Sequence, residues 1–427
     1  MRKSAWLTAG LFIFLIGLIS APDPTPAQVT AIKAGRLIDP ASGSTSTNQV
    51  ILVEGSKIKA VGSDLTIPPG STVIDLSNSA VLPGLFDCHT HMCLTTVRPR
   101  DNGKFFFTTL IETNAYRALE GAANARAMLE SGFTTIRDVG NAGNYADTDL
   151  RRAIDEGLVP GPTMINAGRI IAPYGGQFHL QPERRELGEP EYLYADSRDE
   201  LRRAIRENIH YGAKVIKIVV DDQPYIYSVD DIKFIIEEAA RAGLKVAAHC
   251  GVRPQTGTEN GPHNAAQAGV ASIEHGFRMR DEDLELAKQH NVVLVGTDFT
   301  AEAERDAPLP SGWHKLCVDR LKRAHKIGVT MAYGTDVAFA QPGETRGTLS
   351  MAEIDSWVEA GIPASVILKS MTTNAAALLG VEKERGAVKV GLAADIIATP
   401  DDPLANIATL KHVSFVMKDG KVFRNRN

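Results

Sequence analysis

The sequence predicts an α/β fold: a (β/α)8 TIM barrel with a small β-sandwich domain built from both chain ends. Three observations predict it. Short apolar strands and helical stretches alternate through the middle of the chain, both ends read instead as strands and turns, and polar side chains recur where the central strands stop. In a parallel barrel that is where functional groups gather. A doubly wound open sheet produces the same alternation, and periodicity alone leaves it open.

Length and composition set the frame. A chain of 427 residues, 44% hydrophobic and 23% charged, holds enough apolar material for a large core and argues against disorder. The formal charge of −5 comes with no basic stripe interleaved with aromatics, so nucleic acid is not an expected partner.

The first 27 residues read as a targeting segment. Arg2 and Lys3 precede an apolar run from Ala5 to Ala21, and Thr25-Pro26-Ala27 offers a small-x-small cleavage site. The expectation is a signal peptide cut after Ala27, export to a periplasm or the medium, and no stable membrane insertion afterwards. A retained anchor is the alternative, because the run approaches the shortest length that spans a bilayer. Cys88, Cys93, Cys250 and Cys317 form no close-spaced framework, and no Cys-x-x-Cys is present, so buried thiols are expected rather than disulfides or a cysteine metal site.

Residues 28–82 form the amino-terminal part of the β domain. Alternating stretches at 30–34, 50–54, 57–62 and 71–76 are bounded by Gly, Ser and Pro, the pattern of a small antiparallel sheet. Residues 386–427 read alike, with strands at 394–399 and 413–423 and an Asp419-Gly420 hairpin turn. Between them, residues 83–385 form the barrel. Its first strand is the apolar run that begins at Val81 and ends in His89-Thr90-His91; seven more follow at 132–138, 162–167, 213–220, 244–249, 270–275, 291–295 and 329–333. Helical periods fill 112–131, 198–211, 229–242, 281–290 and 312–327. Eight βα units in about 300 residues is the arithmetic of this barrel.

Side-chain alternation puts His89 and His91 on one face of the first strand, about 7 Å apart along the chain, with Cys88 facing away. Both imidazoles can then reach one metal ion. Further polar residues end or occupy later strands: Lys217 in the fourth, His249 ending the fifth, His275 ending the sixth, and Asp336 in Gly334-Thr335-Asp336 after the eighth. A single strand-end His is usually an ordinary hydrogen-bonder, and Gly-Thr-Asp can be a simple turn. Four histidines, a strand lysine and an aspartate in one ring point instead to a metal centre.

At these residues the chain resembles the metal-dependent amidohydrolase superfamily. The resemblance rests on 83–91, 212–218, Ala247-Ala248-His249, Ile273-Glu274-His275-Gly276, Tyr333-Gly334-Thr335-Asp336 and 372–380, in that order, with Gly386 and 391–395 leading back into the β domain. It covers the chain from Val29 onward and looks most like the branch of Xaa-Pro dipeptidases, acyl-amino-acid hydrolases and imidazolonepropionase-related proteins.

The resemblance implies that His89, His91 and Asp336 hold one metal and His249 and His275 the other. It also implies that Lys217 bridges both as a carbamate formed with CO2. A protonated amine would repel two dications, whereas a carbamate offers an anionic oxygen to each. Imidazole and carboxylate ligands suit two divalent ions, zinc being the expected one. The implied reaction is hydrolysis of an amide or peptide-like C–N bond by a water bridging the metals, in an Xaa-Pro dipeptide or N-acyl amino acid type of substrate, with Asp336 as the catalytic proton carrier. Tyr227 matches a tyrosine of this branch and is expected to meet the oxyanion or a substrate carboxylate.

Tyr225, His179 and His263 are further candidate substrate contacts, while Arg98 and Arg100 read as surface residues. Two segments depart from the family pattern. Tyr174-Gly175-Gly176-Gln177-Phe178-His179 lacks the Gly-Gly-His of relatives, so that either His179 has moved by two residues or Gln177 replaces it. The loop Asp221-Asp222-Gln223-Pro224 replaces a small, Gly-rich one. A lactone or phosphotriester hydrolase would use the same metal pair, and a non-catalytic metal-binding barrel is the alternative of another class. A superfamily deaminase is disfavoured, because Cys250-Gly251-Val252 rather than a Glu follows His249 and Lys217 is present. Homo-oligomers are common in the families resembled, but the chain carries no interface signature.

Overall fold

The computed structural model describes residues 29–252, 260–306 and 311–426. The expected signal segment therefore lies outside the described residues. Among them, no helix is long and apolar enough to cross a membrane.

The chain opens with four strands, β1 (Val29–Asp39), β2 (Ser44–Glu54), β3 (Lys57–Gly62) and β4 (Thr72–Pro83). Ten short strands follow: β5 (Leu85–Thr90), β6 (Phe133–Asp138), β7 (Thr163–Asn166), β8 (Ile170–Ala172), β9 (Tyr192–Tyr194), β10 (Ile216–Val219), β11 (Val246–Cys250), β12 (Ser272–His275), β13 (Val293–Val295) and β14 (Met331–Ala332). The chain closes with β15 (Ile396–Thr399), β16 (Phe415–Lys418) and β17 (Lys421–Asn425).

Both ends meet in one seven-stranded sheet of order β17-β16-β15-β4-β1-β2-β3. The sheet is hydrogen-bonded as one continuous unit. One feature of the sequence reading is corrected here: the sheet is mixed rather than antiparallel throughout, because β1 pairs with β4 in parallel while the other pairs are antiparallel. Ile32, Ile51, Val53, Val81, Ile396 and Phe415 form its buried core. The Asp419-Gly420 turn has positive φ at both residues (47° and 74°), the twist that joins β16 to β17 without splaying them.

The run beginning at Val81 is divided between the two units. Val81 and Leu82 pair with Ala398 and Ile397 in the terminal sheet, and only from Leu85 does the chain enter the parallel part. Gly84 makes the junction, since a Cβ there would lie 2.1 Å from the Thr134 hydroxyl.

The central strands form two parallel sheets, β5-β6-β7 and β14-β13-β12-β11-β10-β8-β9. Backbone bonds continue from one to the other at both seams. Cys88 N donates to Tyr333 O and Asp336 N to His89 O, each at 2.8 Å, and Lys214 N donates to Asn166 O at 2.7 Å. β7 and β8 are two pieces of one course, interrupted at Gly168, whose N–H is taken by Asp147 at 2.7 Å.

The helices Asn114–Glu130, Arg198–His210, Val229–Ala240, Asp281–Gln289 and Trp313–Ile327 fall where the 3.6-residue period placed them. Ser197 and Ser228 start two of them with capping boxes completed by Glu200 and Asp231. The apolar faces of these helices pack on Ile136, Ile171, Ile218, Ala248, Ile273 and Leu294 of the strands, in the largest core of the molecule.

Candidate metal centre

Lys217 lies in β10, His249 in β11, His275 at the last position of β12, and His89 near the end of β5. Adjacent strands pair in register, His249 with Glu274 and Cys250 with His275, so these side chains arrive at the same end of the sheets. His91 and Asp336 follow β5 and β14. Their approach depends on Gly334, where a Cβ would press on Val295 at 2.4 Å and on the Cβ of His89 at 2.9 Å. His275, Thr297 and Asp336 all take positive φ (66°, 54° and 57°). Non-glycine residues held there cost about 1–3 kcal/mol each, a strain concentrated at functional sites.

The side chains converge. Asp336 Oδ1 lies 3.2 Å from His91 Nε2 and 3.8 Å from His89 Nε2, and Oδ2 lies 3.7 Å from His275 Nδ1. The ring centroids of His89 and His275 are 4.8 Å apart, those of His249 and His275 4.4 Å. The ligand atoms of His89, His275 and Asp336 form one potential ion-holding group, and those of Asp221, Asp222 and His249 a second.

Each histidine has one ring nitrogen fixed by the protein. Nδ1 of His89 meets Glu274 Oε2 at 2.6 Å, Nδ1 of His91 meets Gly140 O at 2.7 Å, and Nδ1 of His275 meets Thr297 Oγ1 at 2.9 Å. His249 is engaged through its other nitrogen, Nε2, 2.9 Å from Asp222 Oδ2. Such outer partners set the tautomer and orientation of metal-ligating imidazoles.

Several supporting residues had no role in the sequence reading. Glu274, fully buried, also takes Arg137 Nη2 on Oε1 at 2.7 Å, and Arg137 in turn donates to Ser272 Oγ at 2.9 Å and to the Cys88 carbonyl at 2.6 Å. Asp87 accepts from His89 N, Thr335 N and Thr335 Oγ1, and so ties the His-Thr-His strand to the Asp336 turn.

The electrostatics fit divalent cations. Among the described residues, Lys217 Nζ and His89 Nε2 are buried without a hydrogen-bond partner. A buried polar atom left unpaired is costly unless something else completes it. Burial holds the Lys217 ammonium down to about 8, against the pull of Glu274 and Asp336. Burial, followed by the Lys217 charge, holds the His89 imidazole down to about 3, and burial and the neighbouring His249 hold His275 well below the ordinary range. Those two rings are neutral bases, the form in which imidazole ligates. Burial works against the charge of Asp336, but His89, His91 and Lys217 outweigh it and keep the carboxyl below its usual range. His91 is raised: burial opposes its charge, and the Asp336 carboxylate outweighs that. The donor set of imidazoles, a carboxylate and an unpaired buried amine thus fits divalent cations.

A cleft of about 660 Å³ opens over this ring. Phe105, Phe106, Phe277, Phe299, Trp313 and Phe339 supply an aromatic wall, and Lys104 and Arg278 are exposed cations on its lining. Phe277 and Trp313 pack with centroids 5.1 Å apart.

The expected substrate contacts fare differently. Tyr227 is buried, its hydroxyl donates to Ala195 O at 2.7 Å, and it does not line the cleft, so the catalytic role expected of it is corrected: the oxygen is already committed inside the core. Tyr225 is exposed and donates to Tyr174 O at 2.6 Å. His263 is exposed beside Asp283 at 3.5 Å, and His179 is exposed; none of the three lines the cleft. In the Gly-Gly-Gln segment it is Gln177 that lines the cleft, where it donates to Asp222 Oδ2 at 2.7 Å.

Known proteins share this arrangement of sequence and fold. The Amidohydrolase family model matches residues 80–423. Ochratoxinase of Aspergillus niger is 31% identical, with 93% of this chain and 87% of that protein aligned. Imidazolonepropionase of Symbiobacterium thermophilum is 25% identical over 87% of this chain and 91% of its own length. Among solved structures, an Xaa-Pro dipeptidase with methionine bound in its active site superposes with a TM-score of 0.80 at 28% identity, covering 93% of this chain and all of that one.

Proposed function

Because the chain belongs to the amidohydrolase family and is a hydrolase of carbon–nitrogen bonds, we propose that it is a two-metal amidase or dipeptidase acting on a small substrate. That substrate would be an N-acyl amino acid or an Xaa-Pro dipeptide. The observation that carries the reading is the buried Lys217 amine, left without a hydrogen-bond partner among the described residues on the cleft lining it shares with His89, His91, His249, His275 and Asp336. The bonds that continue from one parallel sheet to the other support a closed (β/α)8 barrel beneath the site.

In this reading His89, His91 and Asp336 would hold one cation and His249 and His275 the other. Lys217, once its neutral amine has added CO2 with one N–C bond formed and one proton released, would offer them the anionic oxygens of a carbamate. Zinc is the expected ion. Bound there, the pair would supply Lewis acidity and a water that ionises near neutral pH.

The chain's own residues do the rest. Asp336, held ionised, accepts the proton of the attacking water on a carboxylate oxygen and returns it to the departing nitrogen. Glu274 and Gly140 O keep Nε2 of His89 and of His91 directed at the site. The aromatic wall excludes water and takes the apolar part of the substrate, while Arg278 and Lys104 offer countercharge to its carboxylate.

The test is metal analysis of purified protein followed by a screen of N-acyl amino acids, Xaa-Pro dipeptides, lactones and phosphotriesters. Chelator-sensitive release of an amino acid from the first two is expected. A protein that holds two metals yet cleaves only lactones or phosphotriesters, or nothing, would overturn the proposal. The same reading places the enzyme outside the cytoplasm with cleavage after Ala27. Mass spectrometry should then find a mature chain beginning at Gln28, and an intact Met1 on the exported protein would refute it.

A further inference from the structure

The loop Asp221-Asp222-Gln223 is built onto the site rather than merely near it. Gln223 Nε2 donates to Gly176 O at 2.5 Å, and Gly251 N donates to Asp221 Oδ2 at 2.8 Å, so the loop is pinned both to the Gly-Gly-Gln segment and to the turn just past His249. Between these pins Asp222, 6% exposed, turns its Oδ2 onto His249 Nε2 at 2.9 Å. The same oxygen accepts Gln177 Nε2 at 2.7 Å, and Tyr192 donates to Gln177 Oε1 at 2.7 Å, which fixes which end of the amide faces the carboxylate. Gln177 Nε2 and His249 Nε2 lie 3.5 Å apart, two donors converging on one acceptor rather than bonded to each other.

A carboxylate that already receives an amide N–H and faces a ring nitrogen dictates where that ring carries its proton. On this basis we propose that Asp222 is a positioning residue for His249. It holds the imidazole as the Nε2–H tautomer and thereby leaves the Nδ1 lone pair to ligate, while Gln177 and Tyr192 hold Asp222 in place. His249 Nδ1 makes no hydrogen bond among the described residues, as a ligating nitrogen requires. His89, His91 and His275 are fixed through Nδ1, whereas His249 is met at Nε2, and Asp222 is what imposes the inversion. Both Asp222 and Gln177 stand where the chain departs from the pattern of the family it resembles, so the two departures become one device.

The inference rests on the reading of His249 as a ligand, and the experiment separates the two. Zinc affinity of the full chain is measured by competition with a chromophoric chelator, with thermal unfolding of the metal-free protein as the fold control. Asp222→Ala should weaken one of the two zinc ions about 10–100-fold and leave the other unchanged. Asp222→Asn, which keeps an acceptor oxygen, should recover part of that loss. In a His249→Ala background, Asp222→Ala should change zinc affinity no further, because a residue acting only through His249 has nothing left to act on.

Unchanged affinity in Asp222→Ala would overturn the proposal, and so would a loss that adds to that of His249→Ala, which would make Asp222 a ligand itself. If His249→Ala alone leaves both zinc ions bound as tightly as before, the metal-centre reading fails instead. Should Asp222→Ala not fold, Gln177→Ala keeps the question open: the same zinc should weaken by a smaller factor, and no change would overturn the chain of positioning.

Discussion

Removing the Glu274 carboxylate should separate the stability of this protein from its capacity for metal. Glu274 sits at zero exposure between His89 Nδ1 (2.6 Å) and Arg137 Nη2 (2.7 Å), with the Ser272 hydroxyl also on Oε1. Glu274→Ala deletes all three bonds and strands the Arg137 guanidinium, itself 1% exposed, without its counterion, while Ser272 Oγ keeps Arg137 Nη1 as a partner. At about 1.5–3 kcal/mol for each bond to a charged group, the two to His89 and Arg137 alone make the loss about 3–6 kcal/mol, the same range as for breaking other buried ion pairs. Urea unfolding of metal-free protein measures it. The companion variant Arg137→Met/Glu274→Leu removes both charges and fills the space, and should regain most of that stability, because the desolvation of the pair is removed with it. It should not regain zinc. His89 would still lack the acceptor that keeps its proton on Nδ1, and affinity should stay about 10–100-fold down. A single variant within about 1 kcal/mol of wild type would refute the energetic argument, since that is what an exposed pair is worth. A double variant with wild-type zinc affinity would refute the orienting role of Glu274.

Three further outcomes follow from the same geometry. Lys217→Ala should lower metal content, and a short carboxylic acid added to the medium should restore part of it; if the variant keeps full metal without the acid, Lys217 is not the bridge. Asp336→Asn should reduce kcat by about 10²–10⁴-fold while metal content stays near wild type, and full turnover in that variant would remove Asp336 from the proton transfer. Metal affinity should depend on pH through His91. The Asp336 carboxylate raises this imidazole above its ordinary value, the protonated ring cannot ligate, and affinity should therefore rise with pH through that raised value and fall about tenfold per unit below it. Asp336→Asn should move the dependence to lower pH. Zinc titrations between about pH 6 and 8 that show a flat affinity, or a shift upward in the variant, would contradict the assignment.

The convergence of the candidate ligands was legible in the sequence because their positions are set by the period of the strands. His89, Lys217, His249 and His275 lie at the ends or on the site-facing side of short apolar runs, and Asp336 follows a Gly whose lack of a side chain lets the turn close on β5. β8 and β9 were not legible: each has three residues standing outside any longer apolar run, whereas the equally short β13 and the shorter β14 lie within the runs at 291–295 and 329–333. Roles that depend on where a side chain turns were not legible either. Tyr227 carries the right group at the right distance along the chain, yet the carbonyl of Ala195, 32 residues earlier, captures its hydroxyl.

The same distinction separates what holds a cation from what aims the holder. A ligand declares itself by residue type and strand position, both local properties. Its partner is chosen by contact: Glu274 reaches His89 across 185 residues of chain, Arg137 reaches Glu274 across 137, and Gln177 reaches Asp222 across 45. No window of sequence contains both members of such a pair, so Glu274 and Arg137 read as one more charge in a motif and one more basic residue. This difference bears on how the site can diverge. Changes in the candidate ligands would remove it, whereas a joint change such as Gln177 with Asp222 would leave every one of them in place and, in the proposed reading, alter how His249 is presented. The loops after β8 and β10, where that pair lies, are therefore where the proposed device can change without touching the ligand pattern.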